Sequence, residues 1–225
     1  AYAALTEEQK ALVDNYGVLT AARIAYDKLV ADKAAAEAVK AKIAEIGEVT
    51  LGSEAAIVAA ENAYAALTEE QKALVDNHDV LEAARAKYNK LVSDKAAAEA
   101  VKAKIAEIGE VNLGSDAAIV AAENAYAALT DEQKALVDNH DVLEAARAKY
   151  NKLVADKAAA DAVKAKIAEI GEVTLDSEAV IVAAENAYAA LTEEQKNLVD
   201  NYGVLTAARE AYNAKKAEKE KADKE

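Results

Sequence analysis

His78 and His140 are the only imidazoles in the chain, and each stands in the tetrapeptide Asp-Asn-His-Asp. Carboxylates flanking an imidazole can hold a divalent metal or pass a proton, so Asp76, His78 and Asp79 are the first candidates for chemistry. The adjacent acids Glu69-Glu70 and Glu193-Glu194 come second, because paired carboxylates do acid–base work when their surroundings split their pKa values. Neither signal holds up along the chain. The places equivalent to the histidines carry Tyr16-Gly17 and Tyr202-Gly203, so the cluster does not recur. A ring packed in a turn is the expected role. The acid pairs fall in the first turn of a predicted helix, where the helix dipole alone favours negative charge. The order Asp76, Asn77, Asp79 is not that of a calcium loop. There is no cysteine, no glycine-rich phosphate loop, no Asn-x-Ser/Thr sequon and no basic aromatic patch. No catalytic, cofactor-binding or metal-binding residue is expected, no cofactor is implied, and the chain reads as non-enzymatic.

What does recur is the whole sequence. Ala-Tyr-Ala-Ala-Leu-Thr begins at Ala1, Ala63, Ala125 and Ala187, a constant step of 62 residues. Residues 63–124 and 125–186 differ at seven positions only: 69/131, 93/155, 99/161, 112/174, 114/176, 116/178 and 118/180. A fixed period of this length marks an array of small modules, each stacked on its neighbours. Alanine supplies 61 of the 225 residues, and Pro, Phe, Trp, Met and Cys are absent. That composition points to long helices in close contact, with glycine marking the turns. The net charge of −14 argues against nucleic acid and anionic membranes as partners. No run of 18 apolar residues is present to insert into a membrane.

One module can be read from residue 94. Ala98, Val101, Ile105 and Ile108 make one helical stripe, and Gly109, like Gly47 and Gly171, stands where a left-handed cap is wanted. Val111 and Leu113 are expected to tuck against the bundle end. Ser115 is the expected N-cap of a second helix with Ile119, Ala122, Tyr126 and Leu129 on its inner face. Thr130-Asp-Glu-Gln133 reads as a capping box, repeated at Thr6, Thr68 and Thr192. It opens a short helix that should contribute Leu136 and Val137. Asp141 is the expected cap of a long helix with Leu143, Ala146, Tyr150 and Leu153 inside. Nothing stops that helix at 154–157, and the stripe runs on through Ala160, Val163, Ile167 and Ile170. One helix of about 30 residues therefore closes one bundle and opens the next. Tyr64, Tyr126 and Tyr188, and Tyr26, Tyr88, Tyr150 and Tyr212, read as core anchors.

The expected fold is all-α: tandem spectrin-like three-helix bundles sharing long continuous helices. The expected divisions are an incomplete module at 1–31, bundles at 32–93, 94–155 and 156–216, and a charged tail at 217–225. A shared helix of about 29 residues rises roughly 43 Å and a return helix of about 15 falls roughly 22 Å, so an elongated rod is expected.

Tyr64-Ala-Ala-Leu-Thr-Glu-Glu-Gln-Lys-Ala-Leu-Val-Asp-Asn and Ala106-Glu-Ile-Gly-Glu-Val-Asn-Leu-Gly-Ser-Asp-Ala-Ala-Ile resemble the helical tandem repeats of cell-wall-anchored surface proteins from clostridia and related Gram-positive bacteria. The resemblance covers nearly all of residues 1–212. It implies a secreted, cell-surface location and a structural stalk that presents a distal adhesin, enzyme or carbohydrate-binding domain. Its partners would be the neighbouring domains of a larger surface protein, of which this chain is expected to be a piece. The chain itself is expected to be a monomer with end-to-end contacts. The alternatives are a multivalent array capturing a host protein such as albumin or immunoglobulin, and a consensus or engineered helical repeat.

Overall fold

The computed structural model describes residues 1–224 and is all-α. Among the described residues there are eleven α-helices and one short 3-10 turn, Tyr2–Ala4. In chain order the helices are α1 (Glu7–Lys10), α2 (Tyr16–Glu45), α3 (Glu54–Ala65), α4 (Glu69–Lys72), α5 (His78–Glu107), α6 (Asp116–Ala127), α7 (Asp131–Lys134), α8 (His140–Ala168), α9 (Glu178–Ala189), α10 (Glu193–Lys196) and α11 (Tyr202–Ala222). Long, intermediate and single-turn helices alternate with the sequence period.

The long helices follow from what they lack. No proline interrupts them, and Ala, Leu, Lys and Glu fill most positions, so the backbone ladder propagates cheaply. α5 passes Ser93 and α8 passes Ala155 without a break. Both stop where Gly109 and Gly171 turn to φ of 58° and 55°, and Gly47 does the same after α2. A side chain there would clash with the following carbonyl, which is why glycine ends each helix.

Compactness divides the chain into Ala1–Ala97 and Ala98–Glu225. The first unit holds one core: Ala36, Val39, Ile43 and Ile46 from α2 and its end, Ile57 and Ala60 from α3, Val75, and Leu81, Ala84 and Tyr88 from α5. The second holds two cores of the same plan. Ala98 to Ala146 form one, with Tyr126, Leu129, Tyr150 and Leu153 packed against it. Ala160 to Tyr212 form the other. The small buried residue of each intermediate helix (Ala60, Ala122, Ala184) is fully covered, as close approach of helices requires.

Several local expectations are corrected. Ser53, Ser115 and Ser177 precede their helices but do not cap them with their side chains. Ser115 already has near-helical dihedrals, and its Oγ turns back to accept the Asn112 N–H at 3.0 Å. That bond closes the loop and leaves Leu113 pointing outward, while Val111 joins the core. α8 begins at His140 after Asn139, so Asp141 lies within its first turn and is not its cap. Val137 is buried as expected, but Leu136 is exposed, because α7 ends after a single turn. The four capping boxes are all formed. At Thr130, for example, the hydroxyl accepts from the Gln133 N–H at 3.3 Å and the Gln133 side chain accepts from the Thr130 N–H at 3.0 Å.

Candidate functional site

The feature that repeats with a consistent side-chain geometry is a groove between the intermediate helix and the start of the long helix that follows. In the first unit it has a volume of about 460 Å³ and is lined by Glu61, Tyr64, His78, Leu81, Arg85 and Asn89, among others. The same lining recurs around Tyr126 and His140, and around Tyr188 and Tyr202.

Its floor is an ion pair held by two helices. Arg85 on α5 reaches Glu61 on α3 through both ends of its fork, Nε to Oε1 at 2.7 Å and Nη2 to Oε2 at 2.6 Å. Arg147 does the same to Glu123, and Arg209 to Glu185. Each arginine also lies over the tyrosine one turn on, 5.6 Å from the Tyr88 ring centre in the first unit. Hydrogen bonding from the guanidinium holds Glu61, Glu123 and Glu185 below the usual carboxylate range. Only arginine offers the planar, two-pronged contact.

Its wall is an aromatic stack. The His78 ring lies 3.9 Å from that of Tyr64, and His140 lies 3.8 Å from Tyr126. Where histidine is replaced, Tyr202 stacks on Tyr188 at 4.1 Å and Tyr16 on Tyr2 at 3.6 Å. The histidine therefore serves as a flat ring at the helix start, interchangeable with tyrosine.

The acid–base and metal candidates do not converge. Asp76 pairs with Lys40 at 3.1 Å, while the carboxylate beside the His78 ring is Glu82, 3.8 Å from its Nδ1. Among the described residues, no group of three His, Cys, Asp or Glu side chains could hold a metal ion. Glu69 and Glu193 pair with Lys72 and Lys196 at 2.8 Å. Glu70 and Glu194 have lowered pKa values, chiefly through a hydrogen bond to their own backbone N–H and then one to the Thr68 or Thr192 hydroxyl. These are the bonds of a helix start.

A second polar site escaped the sequence reading. Asp32 and Asp156 are buried in the middle of the long helices, at the end of one apolar stripe and the beginning of the next. Asp156 accepts from Lys152 Nζ at 2.7 Å, one turn back, and from Gln195 Nε2 at 2.9 Å. Asp32 is held by Lys28 and Gln71 in the same way. Gln71 and Gln195 thus serve twice: the side-chain oxygen closes the capping box and the nitrogen ties the short helix to the long one. The lysine bond first, and the glutamine bond second, hold both aspartates below their ordinary pKa. Two signals pointed to these residues: an aspartate recurring inside an apolar stripe, and arginines confined to positions 23, 85, 147 and 209.

Comparison with family models, with curated proteins and with solved structures finds no match to this chain. Among the described residues, no helix is long and apolar enough to cross a membrane.

Proposed function

We propose that the chain is a non-enzymatic structural spacer, a stalk region of a bacterial cell-wall surface protein whose repeats set a distance and carry no chemistry of their own. The observation that bears most weight is the passage of α8 through Ala155 from one core of the second unit to the other. A helix shared by two cores transmits orientation, since a sharp kink in it would break backbone hydrogen bonds that nothing else replaces. The buried Asp156 adds a polar tie where α8 leaves one core and enters another, and Asp32 ties α2 to α4 at the entrance of its core. The net charge of −14 keeps such repeats apart in solution.

The reading is tested with spin labels, which the absence of native cysteine makes straightforward. Labels at Glu45→Cys with Glu107→Cys span one repeat, and Glu45→Cys with Glu169→Cys span two. A spacer gives narrow distance distributions, with the second distance close to twice the first. A broad distribution for the longer pair would refute it.

The recurrence of the groove in three copies favours a second reading, a multivalent array that captures a host protein. Saturable retention of one serum protein, abolished when Arg85, Arg147 and Arg209 are all replaced by Ala in a chain that stays folded, would support it over the spacer.

A further inference from the structure

Each of the three grooves holds one arginine and two glutamates. The arginine and the first glutamate are bound to each other, as Arg85 with Glu61, Arg147 with Glu123 and Arg209 with Glu185. The second glutamate is Glu82 in the first groove, Glu144 in the next and Glu210 in the last. Among the described residues, none of these three pairs with a lysine or an arginine. Glu82 and Glu144 have only a histidine ring beside them, at 3.8 and 3.9 Å, and their side chains are 71% and 73% exposed. Glu210 is exposed as well.

The last groove keeps this carboxylate while its position moves. Thr206 stands where the other two have Glu82 and Glu144, and Glu210 stands where they have Ala86 and Ala148. Residues four apart are neighbours on one helix face, so the acid is lost at one turn and regained at the next. Tyr202 replaces the histidine in the same groove without loss of the aromatic wall. A flat ring and one carboxylate unpaired by lysine or arginine are therefore common to all three.

The bound arginine decides which charge such a groove accepts. An anion would have to draw the guanidinium away from a carboxylate held by both ends of its fork, and the carboxylate left behind would repel it. A cation meets no such obstacle. A lysine or arginine side chain can lay its stem or its guanidinium plane along the ring and bring its charge to the open carboxylate. The grooves, of about 410 to 460 Å³, are in the size range of ligand sites. The net charge of −14 draws positively charged partners toward the chain.

We propose that the three grooves are a repeated docking surface for a lysine- and arginine-rich segment of a partner protein, with Glu82, Glu144 and Glu210 as the anchoring carboxylates. The inference rests on the second reading above, in which the repeats capture a protein, and it specifies that protein's chemistry. One exposed ion pair per groove holds weakly, so affinity comes from engaging more than one groove.

The test titrates the full 225-residue chain into labelled hexalysine and hexaglutamate, followed by fluorescence anisotropy. The salt is set at about 0.15 M, where long-range attraction is screened. Hexalysine should bind and hexaglutamate should not. The triple variant Glu82→Gln, Glu144→Gln, Glu210→Gln should bind hexalysine about fivefold more weakly. The triple variant Glu45→Gln, Glu107→Gln, Glu169→Gln removes the same charge outside the grooves and should stay within about twofold of the native chain. All six positions are exposed, so both variants should keep the native circular dichroism. Equal weakening by the two variants would overturn the proposal, because the attraction would then be general. Absence of hexalysine binding, or tighter binding of hexaglutamate, would also overturn it. A serum protein retained through the arginines but indifferent to the three carboxylates would keep the capture reading and sink this inference. Hexalysine bound in the grooves with no serum protein retained would do the reverse.

Discussion

Residues 1–31 and residues 63–93 carry nearly the same sequence in two surroundings. Both form a single-turn helix closed by a threonine–glutamine box, then a long helix that begins with an aromatic ring. Both keep the stacked pair, Tyr2 with Tyr16 and Tyr64 with His78, because both rings of each pair lie inside the stretch. They differ in everything that depends on the first two helices of a bundle. In residues 63–93 the apolar stripe is buried and Arg85 crosses to another helix. In residues 1–31 the stripe is open and Arg23 stays on its own helix. Helix formation, caps and the aromatic stack are local; burial and cross-helix pairing are not. Equal sequence therefore does not mean equal stability, and the two stretches should respond differently to the same change.

The largest effect should come from the helix that two cores share. Ala155→Pro removes a backbone bond in the interior of α8 and should cost about 3 kcal/mol or more. Urea unfolding followed by circular dichroism should show the single transition splitting. A proline that leaves the midpoint unchanged would mean that the cores on either side of residue 155 are independent.

Next comes the direct comparison. Leu81→Ala leaves a cavity in a closed core and should cost about 2–5 kcal/mol. The equivalent Leu19→Ala should change stability by no more than about 0.5 kcal/mol, because its side chain is already in water. Similar losses at both sites would show that residues 1–31 are covered in solution. The same logic applies to length. An isolated 94–155 polypeptide has about 60 residues and an alanine-rich core, so it should melt well below the full chain.

The aromatic stack should give a smaller effect. His140→Ala should cost about 0.5–1.5 kcal/mol. His140→Tyr should be close to neutral, since Tyr202 fills the same place on Tyr188. A large loss with tyrosine would return a specific role to the imidazole.

The pH response should be the mildest. Glu61, Glu123, Glu185, Asp32 and Asp156 all have pKa values lowered by folding. The unfolded chain then binds more protons than the folded one in the acid range. The stability these groups contribute is complete above the ordinary carboxylate range and is lost as the pH falls through their depressed folded values. Urea midpoints at pH 7 and pH 3 should differ less in Asp156→Asn than in the native chain. An unchanged acid slope would remove the aspartate from the network.

The period, the helices and their ends were legible because they rest on short-range bonds. A helix closes its hydrogen bonds within four residues, a capping box within three, and a terminating glycine acts on its own dihedrals. The apolar stripe of residues 98–108 could be read for the same reason, as the spacing of side chains on one helix is geometry and not packing. Ser115 marks where that reading fails, and Ser53 and Ser177 behave as it does. Their type matches an N-cap, but the turn closed by the Asn112 N–H claims the Ser115 hydroxyl first.

Tertiary structure alone decided the partners reached across long stretches of chain. Glu61 meets Arg85 at a separation of 24 residues, and Asp32 meets Gln71 at a separation of 39. Such pairs form only once three helices have packed, so no window of sequence contains them. The same holds for the difference between Leu19 and Leu81. Each leucine sits on a helix of the same pattern, and only the presence of covering helices, which burial of apolar surface holds in place, makes one of them core.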